Sequence, residues 1–231
     1  MKKVAIIQSS YIPWKGYFDM IRNSDLFIFY DHVQYTKKDW RSRNYIKTPR
    51  GKQWLTIPCG YDTDRKIYEV MLPDKSWQRS HWDSIKQNYK KARYYWKYAP
   101  FFEEIYLSMQ WDNLSTFNQY MTIRIAKEIL GVTTLFEDSG KYNIQASKAE
   151  GVKEILEKCS ADIYLCGPSA KSYLTEEFLF TIKAKFVWMD YTGYPEYNQL
   201  YPPFEHEVSI IDLIFNEGEN ATKYMKTLKL E

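Results

Sequence analysis

The stretch Leu26-Phe27-Ile28-Phe29-Tyr30-Asp31-His32-Val33-Gln34-Tyr35 decides how this chain is read. Its apolar run shows no polar alternation, so both faces are expected to be buried, as in a parallel strand. The run ends in an acid and opens into a polar loop. Working backwards, residues 4–7 form another short apolar run, and Ser9-Ser10-Tyr11-Ile12-Pro13 reads as a turn. Residues 14–23 read as a helix, with Tyr17, Met20 and Ile21 near one face. Strand, loop, helix, strand is a right-handed parallel βαβ unit, so the fold class is α/β with a mainly parallel sheet. Ligands in such sheets sit beyond the carboxyl ends of the strands. Gln8 at one exit and Asp31, His32 and Gln34 at the other are therefore predicted neighbours.

Working forwards, residues 31–44 pack carboxylate, imidazole, amide, phenol, indole and guanidinium groups together. A fold does not need such density of long polar side chains, whereas a site for an anionic, ring-containing ligand does. Between Thr36 and Lys52 lie Lys37, Lys38, Arg41, Arg43, Lys47, Arg50 and Lys52 against one acid, Asp39. Arginine suits bidentate contact with phosphate or carboxylate. Lys47, Arg50 and Lys52 fall within a hairpin and are expected to face water. Arg41, Arg43 and Asn44 lie nearer the strand end and are the favoured ligand contacts.

The hairpin, residues 44–48 and 53–58 around Pro49-Arg50-Gly51, breaks the α/β rhythm. A short strand over 67–72 and helices over 76–91, 99–107 and 114–130 are predicted next. In the last, Leu114, Phe117, Met121, Ile125 and Ile129 recur at helical spacing and Gly131 supplies the stop. The rhythm then resumes with strands at 134–136, 163–166 and 186–189. Ser147 and Glu150 form a capping box for the helix before the second of these. Helices over 176–180, 209–215 and 221–228 complete the reading. The chain is expected to be one α/β domain over 1–231 with a hairpin and helical insertion at about 44–130.

The 231 residues, 45% hydrophobic, suffice for a full core. A net charge of +3 is too small to argue for nucleic acid, and no nucleic-acid motif is present. The 21 tyrosines suit ring stacking on a carbohydrate or nucleotide, and equally an aromatic core. Three widely spaced cysteines argue against disulfides and zinc and for a reducing, cytoplasmic setting. No apolar run reaches the length of a membrane span.

Further constellations supply candidates. Gly16, close to the start of the first helix, would allow close backbone approach, and a helix N-terminus favours an anion. The placement of Pro13-Trp14-Lys15-Gly16-Tyr17 is similar to the strand–loop–helix of adenylate-forming nucleotidyltransferases, but both histidines of their phosphate-binding motif are missing. The loop Gly167-Pro168-Ser169-Ala170-Lys171 follows an apolar strand, and its backbone amides with Lys171 could cradle a phosphate. It lacks a Walker pattern. Asp31 could orient His32 as a general base, and His81 is a second candidate. No metal-ligating cluster is apparent.

The chain resembles the WbqC-like family nearly end to end. The resemblance rests on Gln8 to Phe18, Tyr30 to Tyr35, Trp40-Arg41-Ser42-Arg43-Asn44, Trp54 to Pro58, Trp77 to His81, Asn88 to Ala92, Tyr164 to Leu174, and Leu200 to Asn216. It departs at His32, where a second acid is usual, and at Ser9-Ser10, which replace a proline–aromatic pair; weight therefore shifts to Asp31. The resemblance implies a role in O-antigen or other surface-polysaccharide biosynthesis: transfer of glycine or another acyl group to the amine of a nucleotide-linked amino sugar. On that reading Asp31, acting through His32 or His81, removes the amine proton. Arg41, Arg43 and Lys171 hold a diphosphate or the donor's anionic group. Gln34, Tyr35 and Asn44 read hydroxyls, and Trp40 stacks on a ring. Gln8, Tyr11, Gly16, Gly167, Ser169 and Tyr173 complete the expected substrate contacts. The only cofactor suggested is a nucleotide-activated donor, and the expected partner is a nucleotide sugar or other anionic small molecule. The rivals are an adenylate-forming ligase using magnesium and a nucleoside triphosphate, and a non-catalytic nucleotide-sugar binding protein.

Overall fold

The computed structural model describes residues 1–146, 148–168, 170 and 175–228. Five strands form a parallel sheet: β1 (Lys3–Ile7), β2 (Leu26–Phe29), β5 (Leu135–Asp138), β6 (Ile163–Cys166) and β7 (Lys185–Trp188), in the spatial order β5-β2-β1-β6-β7. Val4 to Ile7 pair with Leu26 to Phe29 in register, and Lys3 to Ala5 with Ile163 to Leu165. Every residue of β2 and β6 is buried, as continuous apolar strands between two covered faces must be. Strand alternation divides the core. Ala5, Phe27, Phe29 and Leu165 point to one face, with Tyr17, Phe18, Met20 and Ile21 of helix α1 (Lys15–Asn23). Val4, Ile6, Leu26 and Ile28 point to the other, with Val152, Ile155 and Leu156 of α5 (Lys148–Lys158). The α/β fold expected from the first βαβ unit is the fold observed.

Between β2 and β5 the chain builds the antiparallel pair β3 (Arg43–Thr48) and β4 (Gly51–Thr56), then α2 (Ser76–Tyr89), α3 (Tyr95–Glu103) and α4 (Leu114–Arg124). Pro49 fixes the hairpin turn and Gly51 takes φ +96°, which favours glycine. α4 continues as a widened turn over Ile125–Ile129 and stops at Gly131, φ +64°. The helices pack on α7 (Ile210–Glu217) through buried Trp82, Tyr89, Tyr95, Phe102 and Phe215. Much of the aromatic excess is therefore core. A short α6 (Glu176–Leu179) precedes β7.

Four local expectations are corrected. The strand predicted over 67–72 is a 3-10 turn, Ile67–Glu69. Glu69 caps it by accepting from Lys66 N at 2.7 Å, and the flanking amides bond to different segments, Ile67 N to Val33 O and Leu72 N to Asp112 O. α3 begins at Tyr95, with Pro100 inside it, rather than near Ala99. The terminal helix predicted over 221–228 is a 3-10 segment, Gly218–Tyr224. There the backbone is captured by side chains of α1: Lys226 N donates to Asp19 Oδ1 at 3.0 Å and Leu228 N to Asn23 Oδ1 at 2.7 Å. Lys47 is buried, not solvated, because the C-terminal segment crosses the hairpin; its Nζ donates to Pro203 O. The predicted cap Ser147 lies outside the described residues.

Candidate functional site

In chain order the parallel strands run 3-2-1-4-5 across the sheet, so the direction of winding reverses between β1 and β6. That switch point leaves a crevice beyond the strand exits, where ligands bind in doubly wound sheets. A cavity of about 1200 Å³ lies there. Its walls include Gln8 from the β1 exit, His32 and Gln34 from the β2 exit, and Gly167 from the β6 exit. Trp14 and Tyr17 of the α1 segment, and Lys148 and Val152 of α5, close two further sides. Trp40, Arg41, Asn44, Arg65 and Lys66 come from the segment between β2 and the insertion helices.

Arg41 is held in place before any ligand arrives. Its Nη1 donates to Gln8 Oε1 at 2.9 Å and its Nε lies 3.2 Å from Asp39 Oδ2. His32 is similarly fixed. Its Nδ1 is 2.9 Å from Ser139 Oγ and 3.5 Å from Asp138 Oδ1, and its ring packs 4.4 Å from that of Tyr68. Gly140 permits this: a Cβ there would meet His32 Cε1 at 2.6 Å. Gln34 reaches Thr63 O at 3.3 Å.

Other predicted residues lie beneath or beside the cavity. Asp31 is fully buried and does not line it. Its Oδ1 accepts from Ser9 N at 2.8 Å, and its Oδ2 from Ser115 Oγ and from Gln119 Nε2 at 3.2 Å. Gln119 also donates to Asp138 Oδ2 at 2.8 Å, so one amide links Asp31 to the carboxylate beside His32. Asn44 borders the cavity, yet its Nδ2 donates to Tyr11 O at 3.1 Å and Ile12 O at 3.0 Å. Those bonds brace Ile12 at φ +36°, a conformation costly for a β-branched residue. Tyr11 and His81 are paired in the core: Tyr11 Oη is 2.7 Å from His81 Nδ1 and from Tyr106 Oη, and His81 Nε2 is 3.2 Å from Thr56 O. Burial pushes the His81 imidazole down to about 4, against a smaller opposing effect of the Thr56 carbonyl. Tyr35 is buried, and burial pushes its phenol up to about 12. Gly16 does not border the cavity either; the close neighbour it accommodates is the Trp14 ring, 2.4 Å from where a Cβ would stand. Arg43 lines a separate, smaller pocket with Trp54. Ser169, Lys171 and Tyr173 lie outside the described residues.

Sequence reading missed Asp138, Ser139 and Gly140 around His32, and the wall residues Arg65, Lys66 and Lys148. The first group was accessible in principle. β5 is parallel to β2, so its exit must open on the same edge. Arg65 and Lys66 stand in a polar connector with no periodicity to distinguish them.

The model of the WbqC-like protein family matches residues 8–224, from the β1 exit to the last 3-10 segment. The chain belongs to the WbqC-like protein family. The uncharacterized protein Rv1507c of Mycobacterium tuberculosis (strain ATCC 25618 / H37Rv) is 41% identical over 228 residues, covering 98% of each chain. No solved structure gives a significant match. In this WbqC-like chain no helix among the described residues is long and apolar enough to cross a membrane, and no group of three or more His, Cys, Asp or Glu among them could hold a metal ion.

Proposed function

We propose that the switch-point cavity binds a nucleotide-linked amino sugar, and that the chain transfers glycine or another acyl group to its amine in surface-polysaccharide biosynthesis of the O-antigen type. The observation carrying this reading is the cavity itself. At about 1200 Å³ it lies just above the roughly 300–1000 Å³ range of ordinary small-molecule sites and leaves room for a nucleotide together with a sugar. It opens where winding reverses, the place nucleotides take in such sheets. Lys66 and Lys148 border it without a side-chain hydrogen bond or close ion pair among the described residues, Lys66 feeling the Glu69 carboxylate of the same wall, and the guanidinium of Arg41 is pre-positioned there. These cations suit a diphosphate.

His32 is the base this arrangement favours. In the tautomer that donates Nδ1–H to Ser139 Oγ, its Nε2 would hold a lone pair. That nitrogen would take the proton from the sugar amine as the amine attacks the carbonyl carbon of an activated acyl donor. The donor's leaving group would depart with its bonding electrons, and the new bond is an amide. Asp31 would contribute through Gln119 and Asp138 rather than by touching substrate.

The test is a thermal-shift and calorimetric screen of nucleotide amino sugars, followed by an amide-formation assay with acyl donors. Native-state ligands raise the melting temperature by mass action. Binding together with turnover supports the reading. Binding without turnover across donors returns the protein to a nucleotide-sugar carrier, and magnesium-dependent pyrophosphate release would assign it to the adenylate-forming ligases.

A further inference from the structure

Arg43 and Asn44 are adjacent in β3, so their side chains leave opposite faces of the hairpin. Asn44 turns to the large cavity. Arg43 turns to the face that carries Tyr45, Lys52 and Trp54, where a second pocket of about 370 Å³ opens. Trp40 and Glu207 belong to both, so the pockets meet at the Trp40 indole.

The second pocket is built around a stack. Tyr45 and Trp54, opposite one another across the hairpin, lie 3.6 Å apart with rings 28° from parallel. The Arg43 guanidinium carbon sits 4.0 Å from the Trp54 centroid. This contact holds the fork flat and in one place, the geometry that suits bidentate recognition of an anion. No acceptor among the described residues answers it: Arg43 Nε is buried without a hydrogen-bond partner. Neighbouring charges already have partners in the protein. Lys52 lies 3.4 Å from Glu205 and 3.1 Å from Glu207, and Asp39 pairs with Arg41. Arg43 and Lys38 are thus the cations of this pocket without an ion-pair partner among the described residues. Beside them Trp40, 47% exposed, presents an indole that the core does not use.

An unanswered, pre-oriented guanidinium next to an exposed indole is chemistry for an aromatic ring that carries a phosphate. We infer that this pocket is a second ligand subsite, for a phosphorylated nucleoside, and that it receives the nucleotide head of the acyl donor. The donor assignment rests on the reading that the large cavity takes the nucleotide sugar. On that basis the shared wall at Trp40 brings the two ligands side by side.

ADP is the probe, with adenosine and inorganic phosphate as its separated halves and UDP-glucosamine as the probe of the large cavity. Calorimetry and tryptophan fluorescence are run on the intact chain. The expected result is that ADP binds in the presence of saturating UDP-glucosamine, while adenosine and phosphate each bind far more weakly. Arg43→Ala should weaken ADP at least tenfold and Lys38→Ala severalfold, both leaving UDP-glucosamine within twofold. Lys38 is exposed, so its variant keeps the test open should Arg43→Ala fold poorly. Mutual exclusion of ADP and UDP-glucosamine overturns the inference, as does absent ADP binding or unchanged ADP affinity in the folded variants. Arg43-dependent ADP binding with no UDP-glucosamine binding would support the subsite and overturn the reading of the large cavity instead.

Discussion

Arg41 Nη1 donates to Gln8 Oε1 at 2.9 Å, tying the basic loop after β2 to the exit of β1. The bond connects residues 33 positions apart and fixes a cation at the reversal of the sheet. Asp39 holds the other side of the same guanidinium. If that cation meets a diphosphate, Arg41→Ala should weaken nucleotide-sugar binding by about 1.5–3 kcal/mol, the usual loss for a hydrogen bond to a charged group. Titration calorimetry measures this directly. A lower melting temperature with unchanged affinity would make Arg41 a brace and nothing more.

Asp31 should be a stability residue first. Three donors converge on its carboxylate in a fully buried position. Asp31→Ala leaves Ser9 N, Ser115 Oγ and Gln119 Nε2 without it, at a cost of about 3 kcal/mol or more. Asp31→Asn retains one acceptor oxygen and should cost less. Urea unfolding of both variants alongside the amide-formation assay separates the roles. Turnover lost in Asp31→Asn at wild-type stability would mean that the carboxylate acts in the chemistry itself.

Two of the contributions to the pH dependence of stability, those of His81 and Asp19, oppose one another. His81 is held at about 4 in the fold against 6.5 when unfolded. As pH falls through that interval the unfolded chain takes up a proton that the folded chain refuses, so stability falls, by about 3 kcal/mol at the limit. Asp19 is pushed up by burial to about 6 from 3.8. Its contribution is present below 3.8 and is lost as pH rises through 6. Between roughly pH 4 and 6 the two slopes oppose, so the wild-type profile alone is uninformative. The difference between wild type and His81→Gln isolates the histidine. It should shrink steadily as pH drops from 6.5 to 4, read from denaturant midpoints; a constant difference would place a charged imidazole in the core.

The parallel sheet was legible because apolar runs at residues 4–7, 26–30 and 163–166 have no other way to bury both faces, and the βαβ order places their exits together. The site was legible only in part. Arg41, Arg43 and Asn44 look alike as loop polar residues, but Arg43 begins β3, and alternation then sends it to a different pocket from Asn44. Extending the hairpin by one residue would have shown this. Lys47 lies on the outer face, as alternation requires, yet it is buried because the segment before α7 crosses that face, with Ser209 N bonded to Tyr45 O. Such covering is set by contacts distant in sequence and leaves no local pattern. The helix predicted at the C-terminal end failed for a related reason, since Asp19 and Asn23 capture its backbone from α1.

The last prediction joins Gly140 to His32. Gly140 does not take a left-handed backbone conformation, so alanine is tolerated there by the main chain. Its Cβ would nevertheless stand 2.6 Å from His32 Cε1, 2.9 Å from Nε2 and 3.0 Å from Asp138 Oδ1. The imidazole must move away from Ser139 and Asp138, the groups that fix its tautomer. If His32 is the base, Gly140→Ala should copy His32→Gln: turnover falls by roughly 10²–10⁴-fold, the span of general-base contributions, while nucleotide-sugar affinity stays near wild type. Asp138→Asn removes the charge beside the ring, keeps its shape and should lower turnover with nucleotide-sugar affinity near wild type. A merely structural role for the pair would lower stability in all three variants, with turnover falling only as far as the folded fraction does. Full turnover in Gly140→Ala at wild-type stability would remove His32 from the chemistry.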